Sequence, residues 1–520
     1  MKATVIGSGF SGSVTSFFLL KKGFKVDMYD IGYLPNKIDL FDNKHLDQIQ
    51  SFDYFFGDKN QSFVNYYDDE IFKISNLVKS NASKDKDFTS FKAIQSKDFL
   101  GHGKAWGVNM HSFDEDDIKD WPIKFSEYSK YLKEFLNYCK ISSRNDDMNQ
   151  FYPKNFINQK CFNISTADQD LLNKYQNNII KNNFHHFFLG HSRLGLNMIN
   201  YNKKRSSKLW FDDNKNLKFN PGYNFFSKMI KNKSFNYYPY KKVNKFIYSN
   251  LKIDSIDVID LKSKKNKILS VSNLFLCAGT INSANIYLSS LNKKKHVIKR
   301  LNILDNKVIK IVFLNPRLFF KNNDNKDLPF NRLSGVKLQR KFKNFPKYIH
   351  FEILNFQNLL QTPISRFLPF GFKFSSILLS KLSESLGVLT VFMPDKVNNN
   401  CYIKLNNDNN FKINYKDSLE KKLFSKYLKT KLFFDLLRNF CIPIKILVPK
   451  SGNGIHYAGT MPMGNKLHGV NSNCKSNFLK NLYITDGSVF PSLPSKSITF
   501  NIMYNAFRVI KNLKIKKIEK

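Results

Sequence analysis

Arginine is scarce in this chain of 520 residues, with ten Arg against 73 Lys. Acidic residues are few as well, 41 Asp and Glu against 83 Lys and Arg, which leaves a formal charge of +42. Such a charge invites a nucleic-acid or membrane-surface reading. The lysines are dispersed, however: KKNK at 264–267, KKK at 293–295 and KIKK at 514–517 are short, and longer basic blocks are missing. Lys travels with Asn, Ile, Phe and Tyr along the whole chain, the mixture of A/T-rich coding, and reads as a solvated surface. No nucleic-acid partner is expected. The six cysteines, at 139, 161, 277, 401, 441 and 474, form no CxxC pair and no zinc-like Cys/His spacing, so neither a disulfide framework nor a metal site is expected. No uncharged apolar run reaches the length of a membrane span, so no transmembrane segment is expected. Residues 3–6 already read as a short apolar strand, so no signal peptide is expected and the cytoplasm is the expected location. No repeat of fixed period is visible.

What is present suffices for a large core: 42% of residues are hydrophobic and 15% aromatic, including 51 Phe. The length predicts more than one structural unit. Residues 2–30 read strand, glycine turn, helix, strand: KATVI, GSGFSG, SVTSFFLLKKG, FKVDMYD. A polar stretch at 31–95 predicts a surface excursion with short helices. Helical spacing recurs at 125–139, 168–182 and 417–440, and alternating strand-like runs occupy 241–280. Between 305 and 415 several alternating runs, among them VIKIVFL, YIHFEIL and LGVLTVFM, predict a second lobe built on an antiparallel sheet.

Gly7, Gly9 and Gly12 form GxGxxG between the first strand and helix. The first glycine makes the tight turn, the second lets backbone approach a pyrophosphate, and the third lets helix pack on strand. The free N–H groups and dipole of the helix start favour that anion. Asp30 closes the second strand, where a carboxylate accepts hydrogen bonds from an adenosine ribose.

Near the C-terminus, His456-Tyr457-Ala458-Gly459-Thr460-Met461-Pro462-Met463-Gly464 and Leu482-Tyr483-Ile484-Thr485-Asp486-Gly487-Ser488-Val489-Phe490-Pro491 resemble the HxxGTxxMG and "nLyvaDaSvfP" signatures of the glucose-methanol-choline (GMC) flavin oxidoreductases. FLGHGKAWG at 99–107, with Gly101 and Trp106, is similar to that family's glycine-rich loop beside the flavin. LFLCAGTINSANIYLSS at 274–290, with Ala278 and Gly279, is similar to its "vvlAAGaxxsaxlLlxS" turn. The four motifs stand in the family's order from residue 7 to residue 508 and leave only the substrate lobe without a match.

The resemblance implies an α/β chain, with an FAD-binding Rossmann-like domain from 1–135, 206–300 and 450–520 and an antiparallel-sheet substrate domain from 136–205 and 301–449. It implies that FAD takes a hydride from the carbon of an alcohol, sugar or polyol while a base removes the hydroxyl proton. His456 matches the catalytic histidine; the alternative is a loop histidine satisfied by backbone. Asp486 and Gly487 match positions near the flavin's ribityl and pyrophosphate, and Val243 matches a strand position that holds adenine, unless it is simply core. Two departures stand out. The second catalytic position, His or Asn in relatives, falls on Ser497, a poor base that either orients the substrate hydroxyl or N-caps the last helix. Asn501 one turn on, or Lys496 after a one-residue loop shift, are other occupants of that space. The residue before Trp106 is Ala105 where some relatives attach the flavin through His, so FAD is expected to be bound without a covalent link there. The electron acceptor stays open, and a flavin-binding protein with altered or lost alcohol chemistry is the second reading.

Overall fold

The computed structural model describes residues 1–32, 91, 93, 95, 96, 99–153, 161, 162, 164–176, 187–196, 221–291, 298–319, 333–355, 382, 385–405, 411–439 and 441–514. The polar stretch expected at 31–95 falls almost wholly outside these residues, as do 177–182 of the expected helix at 168–182.

The glycine-rich N-terminus seeds a parallel sheet. Lys2–Ile6 lies at its centre, flanked by Lys25–Tyr29 and then Phe235–Tyr238 on one side, and by Leu274–Leu276 and then Leu482–Ile484 on the other. The central strands are apolar on both faces, as a sheet covered on two sides requires. The helix Phe10–Lys21 covers one face, and the terminal helix Thr499–Asn512 packs along it, with Phe18 and Phe507 ring centroids 4.5 Å apart.

The second lobe is a six-stranded antiparallel sheet in the order Ile442–Leu447, Val308–Leu314, Leu386–Phe392, Tyr348–Asn355, Leu333–Leu338, Phe187–His191. Strand periodicity sends Ile309, Ile311, Phe351, Ile353, Leu389 and Val391 to one face. There they meet Phe424, Leu428, Leu432 and Leu436, spaced four apart on the helix Leu419–Arg438. The opposite face, with Val336, Leu354 and Val388, belongs to the same buried cluster as the parallel sheet, so it looks toward the nucleotide-type domain.

Three local expectations change. The runs at 402–405 and 411–414 leave the large sheet for a small one, in which 402–405 pairs with Arg300–Asn302 on one side and with 411–414 on the other, because alternation identifies a strand but not its partner. The last strand-like run of 241–280 divides: Asn266–Ser270 joins a meander and Leu274–Leu276 the parallel sheet. The helical stretch 125–139 is two short helices, Phe125–Ser129 and Leu132–Leu136. Ile442–Leu447 is an edge strand whose Ile442, Ile444 and Ile446 are exposed. Among the described helices none is long and apolar enough to cross a membrane.

Candidate active site

The three motif glycines have distinct constraints. Gly7 has φ +99°, and a Cβ there would lie 2.7 Å from the Cys277 carbonyl oxygen. A Cβ on Gly12 would lie 1.9 Å from the Gly7 oxygen. Both are therefore packing requirements. At Gly9 a Cβ would meet, among the described residues, only the Leu100 oxygen, at 3.9 Å, which leaves the helix start open on this side, where an anion is favoured. Asp30 is buried at the end of its strand and accepts from the hydroxyls of Ser8 and, at 3.1 Å, Tyr237. Burial pushes its pKa up, and those two bonds work against the shift. Lys241 donates its N–H to the Asp30 carbonyl at 2.7 Å, which brings the strand holding Val243 alongside. Val243 itself is buried beside a register shift in that strand.

The same Ser8 hydroxyl accepts the Leu100 N–H at 3.0 Å and so ties the glycine turn to the second glycine loop. That loop turns sharply: Leu100 and Gly101 both have positive φ, and the 3-10 turn Gly101–Ala105 follows. Gly103 sits against the Phe10 ring with no room for a Cβ. The edge of Trp106 meets the same ring, with centroids 5.5 Å apart at 83°. Asp486 joins the remaining turns. Its carboxylate accepts from the Gly279 N–H at 2.9 Å, the Ser283 hydroxyl and the Ser488 N–H at 2.9 Å. Gly487 leaves no room for a Cβ, which would lie 2.7 Å from the Tyr457 oxygen.

His456 stands where these turns meet the antiparallel sheet. Ile455 before it is held at φ +58°, an unfavourable conformation for a β-branched residue. The His456 carbonyl accepts the Asn306 N–H at 3.2 Å, and the Asn306 amide donates to Met393 and Pro494 carbonyls at 2.8 and 3.0 Å. One asparagine thus binds the histidine loop to the sheet end and the C-terminal loop. The His456 ring lies 4.5 Å from the Phe392 ring. Burial, aided by His102 nearby, lowers its pKa to about 3, so the ring is neutral at pH 7. Its Nδ1 is buried and makes no hydrogen bond among the described residues.

The second catalytic position develops differently from the alternatives read in the sequence. Ser497 is buried, but the cap position of the last helix is Ile498 and no side chain caps it, so N-capping is not the serine's role. Asn501 is engaged on both sides of its amide: it donates to the His111 carbonyl at 2.6 Å and accepts from the Phe113 N–H at 2.9 Å. It therefore fixes segment 111–113. Lys496 is turned away into a buried ion pair with Asp114 at 2.7 Å and Asp117 at 2.5 Å. Those carboxylates hold its pKa above the ordinary lysine value, while burial raises Asp117 to about 7.

Sequence reasoning passed over the side chains on the sheet face. His350 and Glu352 project from the strand Tyr348–Asn355 on the side opposite Phe351 and Ile353. Ser495 donates to the His350 and Phe392 carbonyls at 3.2 and 2.7 Å, which fixes His350 beside the ring that touches His456. His111 enters from the segment after Trp106; its ring lies 5.9 Å from that of His350 and its Nε2 3.7 Å from Glu352. Asn109 donates to Glu352 at 2.9 Å. Nothing in the local sequence separates these histidines from core histidines.

The residues present fit a dinucleotide. Among the described residues, a Cβ on Gly9 would meet only the Leu100 oxygen at 3.9 Å, and one on Gly101 or Gly279 would meet no atom within 4 Å. Trp106 Nε1, Thr460 Oγ1, Ser488 Oγ and His456 Nδ1, all buried around the converging turns, have no hydrogen-bond partner among the described residues.

Residues 444–506 match the family model described as GMC oxidoreductase. No curated protein matches the chain. Among solved structures, pyridoxine 4-oxidase from Mesorbium loti is similar with a TM-score of 0.61 at 12% identity, over 98% of this chain and 98% of that one. A formate oxidase from Aspergillus oryzae, in a structure concerned with the effect of a mutation on FAD modification, is similar with a TM-score of 0.59 at 10% identity, over 98% of this chain and 97% of that one. At such identities the likeness shows the fold. The GMC resemblance of the motifs is thereby borne out, as is the α/β architecture with a Rossmann-like domain and a separate antiparallel sheet.

Proposed function

From the premise that this chain has the fold and C-terminal segment of a GMC oxidoreductase, we propose that it oxidises a CH–OH group of an alcohol, sugar or polyol with His456 as the base. The observation that carries the reading is the neutral imidazole of His456, its Nδ1 buried without a hydrogen bond among the described residues, at the junction of the glycine turns and the sheet. Segments 1–135, 206–300 and 450–520 form the FAD-binding domain in this reading, and 136–205 and 301–449 the substrate domain. Gly7, Gly9, Gly12 and the helix start would hold the pyrophosphate, Asp30 and the Val243 strand the adenosine. Gly101, Trp106, Ala278, Gly279, Asp486 and Gly487 would border the rest. When bound, FAD supplies the two-electron acceptor for a hydride. Ala105 before Trp106 removes one known attachment point, so the cofactor is held without a covalent link there.

His456 receives the hydroxyl proton on its unprotonated ring nitrogen as the C–H bond is cleaved. Its lowered pKa keeps it in the base form down to about pH 4 and makes it a weak base, so orientation has to supply much of the rate. Ile455 and Asn306 supply that orientation by fixing the backbone on each side of the reacting ring. The chain's small-molecule substrate meets no other base at Ser497, which leaves His456 with the proton transfer.

Anaerobic addition of sugars, polyols and simple alcohols to the purified holoprotein, followed at the flavin band, tests this. One class bleaches the flavin, and His456→Ala slows the bleaching by about 100-fold or more while retaining the flavin. Bound FAD that no alcohol reduces would favour the second reading, a flavin-binding protein without alcohol chemistry, to which the Ser497 substitution already points.

A further inference from the structure

The sheet-facing side of the site holds more polar capacity than proton transfer uses. His111 and His350 are 1% and 3% exposed, and all four of their ring nitrogens are buried without a hydrogen bond among the described residues. Asn109 Oδ1 and Ser334 Oγ on the same face are likewise unpaired. Ser334 lies opposite Glu352 in the strand register, and Asn109 donates to that carboxylate. A buried polar atom left unpaired is destabilising, so such a group of them is a poor core and a good subsite. The backbone is prepared for it: Asn501 anchors His111, and Ser495 bonds the carbonyls of both His350 and Phe392, whose ring meets that of His456.

The protonation state defines the ligand. Burial holds both rings neutral, and the Lys496 charge behind them reinforces this. A neutral imidazole offers one donor and one acceptor. A carboxylate or phosphate, which only accepts, leaves the acceptor nitrogens unpaired; an ammonium, which only donates, leaves the N–H groups unpaired. A hydroxyl does both. We propose that His111 and His350, with Asn109 and Ser334, form a hydroxyl-reading subsite that makes a neutral polyhydroxylated compound the ligand, a second hydroxyl being held there while the first faces His456. The subsite rests on the substrate-site reading above, but its ligand preference is measurable without turnover.

Equilibrium dialysis of the oxidised holoprotein against D-sorbitol and 1-hexanol compares two six-carbon probes that differ in hydroxyl content. Sorbitol binds at least about tenfold more tightly, and His350→Leu lowers the sorbitol-to-hexanol ratio by about tenfold or more. His350→Gln keeps a donor and an acceptor and recovers most of that ratio, while flavin content and circular dichroism identify any variant that has lost its fold. Equal binding of the two probes, no measurable sorbitol binding, or a ratio that His350→Leu does not move overturns the subsite. If the ratio depends on His350 yet sorbitol bleaches no flavin anaerobically, the subsite stands and the oxidation reading falls. If sorbitol bleaches the flavin with a rate and affinity indifferent to His350, the oxidation reading stands and the subsite falls.

Discussion

Replacing His111 with glutamine isolates one contribution to the protein's acid sensitivity. Burial, reinforced by the positive charges of Lys496 and Arg193, holds the His111 pKa at about 3 against an ordinary 6.5. The Glu352 carboxylate, 3.7 Å away, favours the charged ring, but burial outweighs it. Because the folded pKa lies below the unfolded one, the neutral ring's contribution to stability is fully present above pH 6.5 and is lost as the pH falls toward 3. At about 1.4 kcal/mol per pKa unit, the unfolded chain gains about 2 kcal/mol over the folded one between about pH 7 and pH 5 from this residue alone. Glutamine cannot take that proton. His111→Gln is expected to cost stability at neutral pH, but its deficit against the wild type shrinks by about 2 kcal/mol over the same range. Urea unfolding of both proteins, followed by tryptophan fluorescence and circular dichroism at each pH, reads the difference, and the other histidines cancel. A deficit constant to within about 0.5 kcal/mol would refute the assignment of a neutral, buried ring at this site.

Two motif glycines are expected to respond in opposite ways. Gly12→Ala places a Cβ 1.9 Å from the Gly7 oxygen and lowers the melting temperature, whereas Gly9→Ala meets nothing closer than 3.9 Å, so the fold survives and flavin retention after gel filtration falls. Equal melting temperatures for the two variants would contradict that division. Lys496→Met leaves the buried Asp117, beside the half-buried Asp114, without its cation and costs about 3–5 kcal/mol at pH 8. The loss is smaller at pH 6, where Asp117, already raised to about 7, takes up a proton. A pH-independent loss below about 1 kcal/mol by urea titration would show that the ion pair is replaceable.

The sequence made the nucleotide end legible because its constraints are local. The tight turn at Gly7, the helix contact at Gly12 and the carboxylate at Asp30 all lie within one strand-turn-helix-strand unit, where spacing is geometry. His456 was legible through its motif. Its supports were not: Asn306 bonds to residues far along the chain, and an Asn after an Asp between apolar runs looks like any turn. His111 and His350 meet only because a segment after the glycine loop crosses the sheet face, a long-range pairing with no periodic signature. Ser497 was misjudged as a possible cap because residue type suggests capping wherever a helix begins, while the actual first turn starts at Thr499 with Ile498 in the cap position. Asn501 lies on the expected helix, and its amide bonds to the backbone of segment 111–113, a long-range contact that no spacing could reveal.

The exposed isoleucines of the edge strand Ile442–Leu447 bear on how the protein behaves in concentrated solution. An open strand edge with an apolar fringe is a template for pairing with another copy. Pro443 removes one donor from that edge, and Lys445 sets a charge between the isoleucines. The surplus of lysine supplies the rest of the protection by keeping like-charged copies apart. That repulsion reaches about 10 Å at 0.1 M salt and about 3 Å at 1 M. Concentrated salt therefore strips away the long-range part of the barrier and leaves the proline and the single lysine to guard the strand.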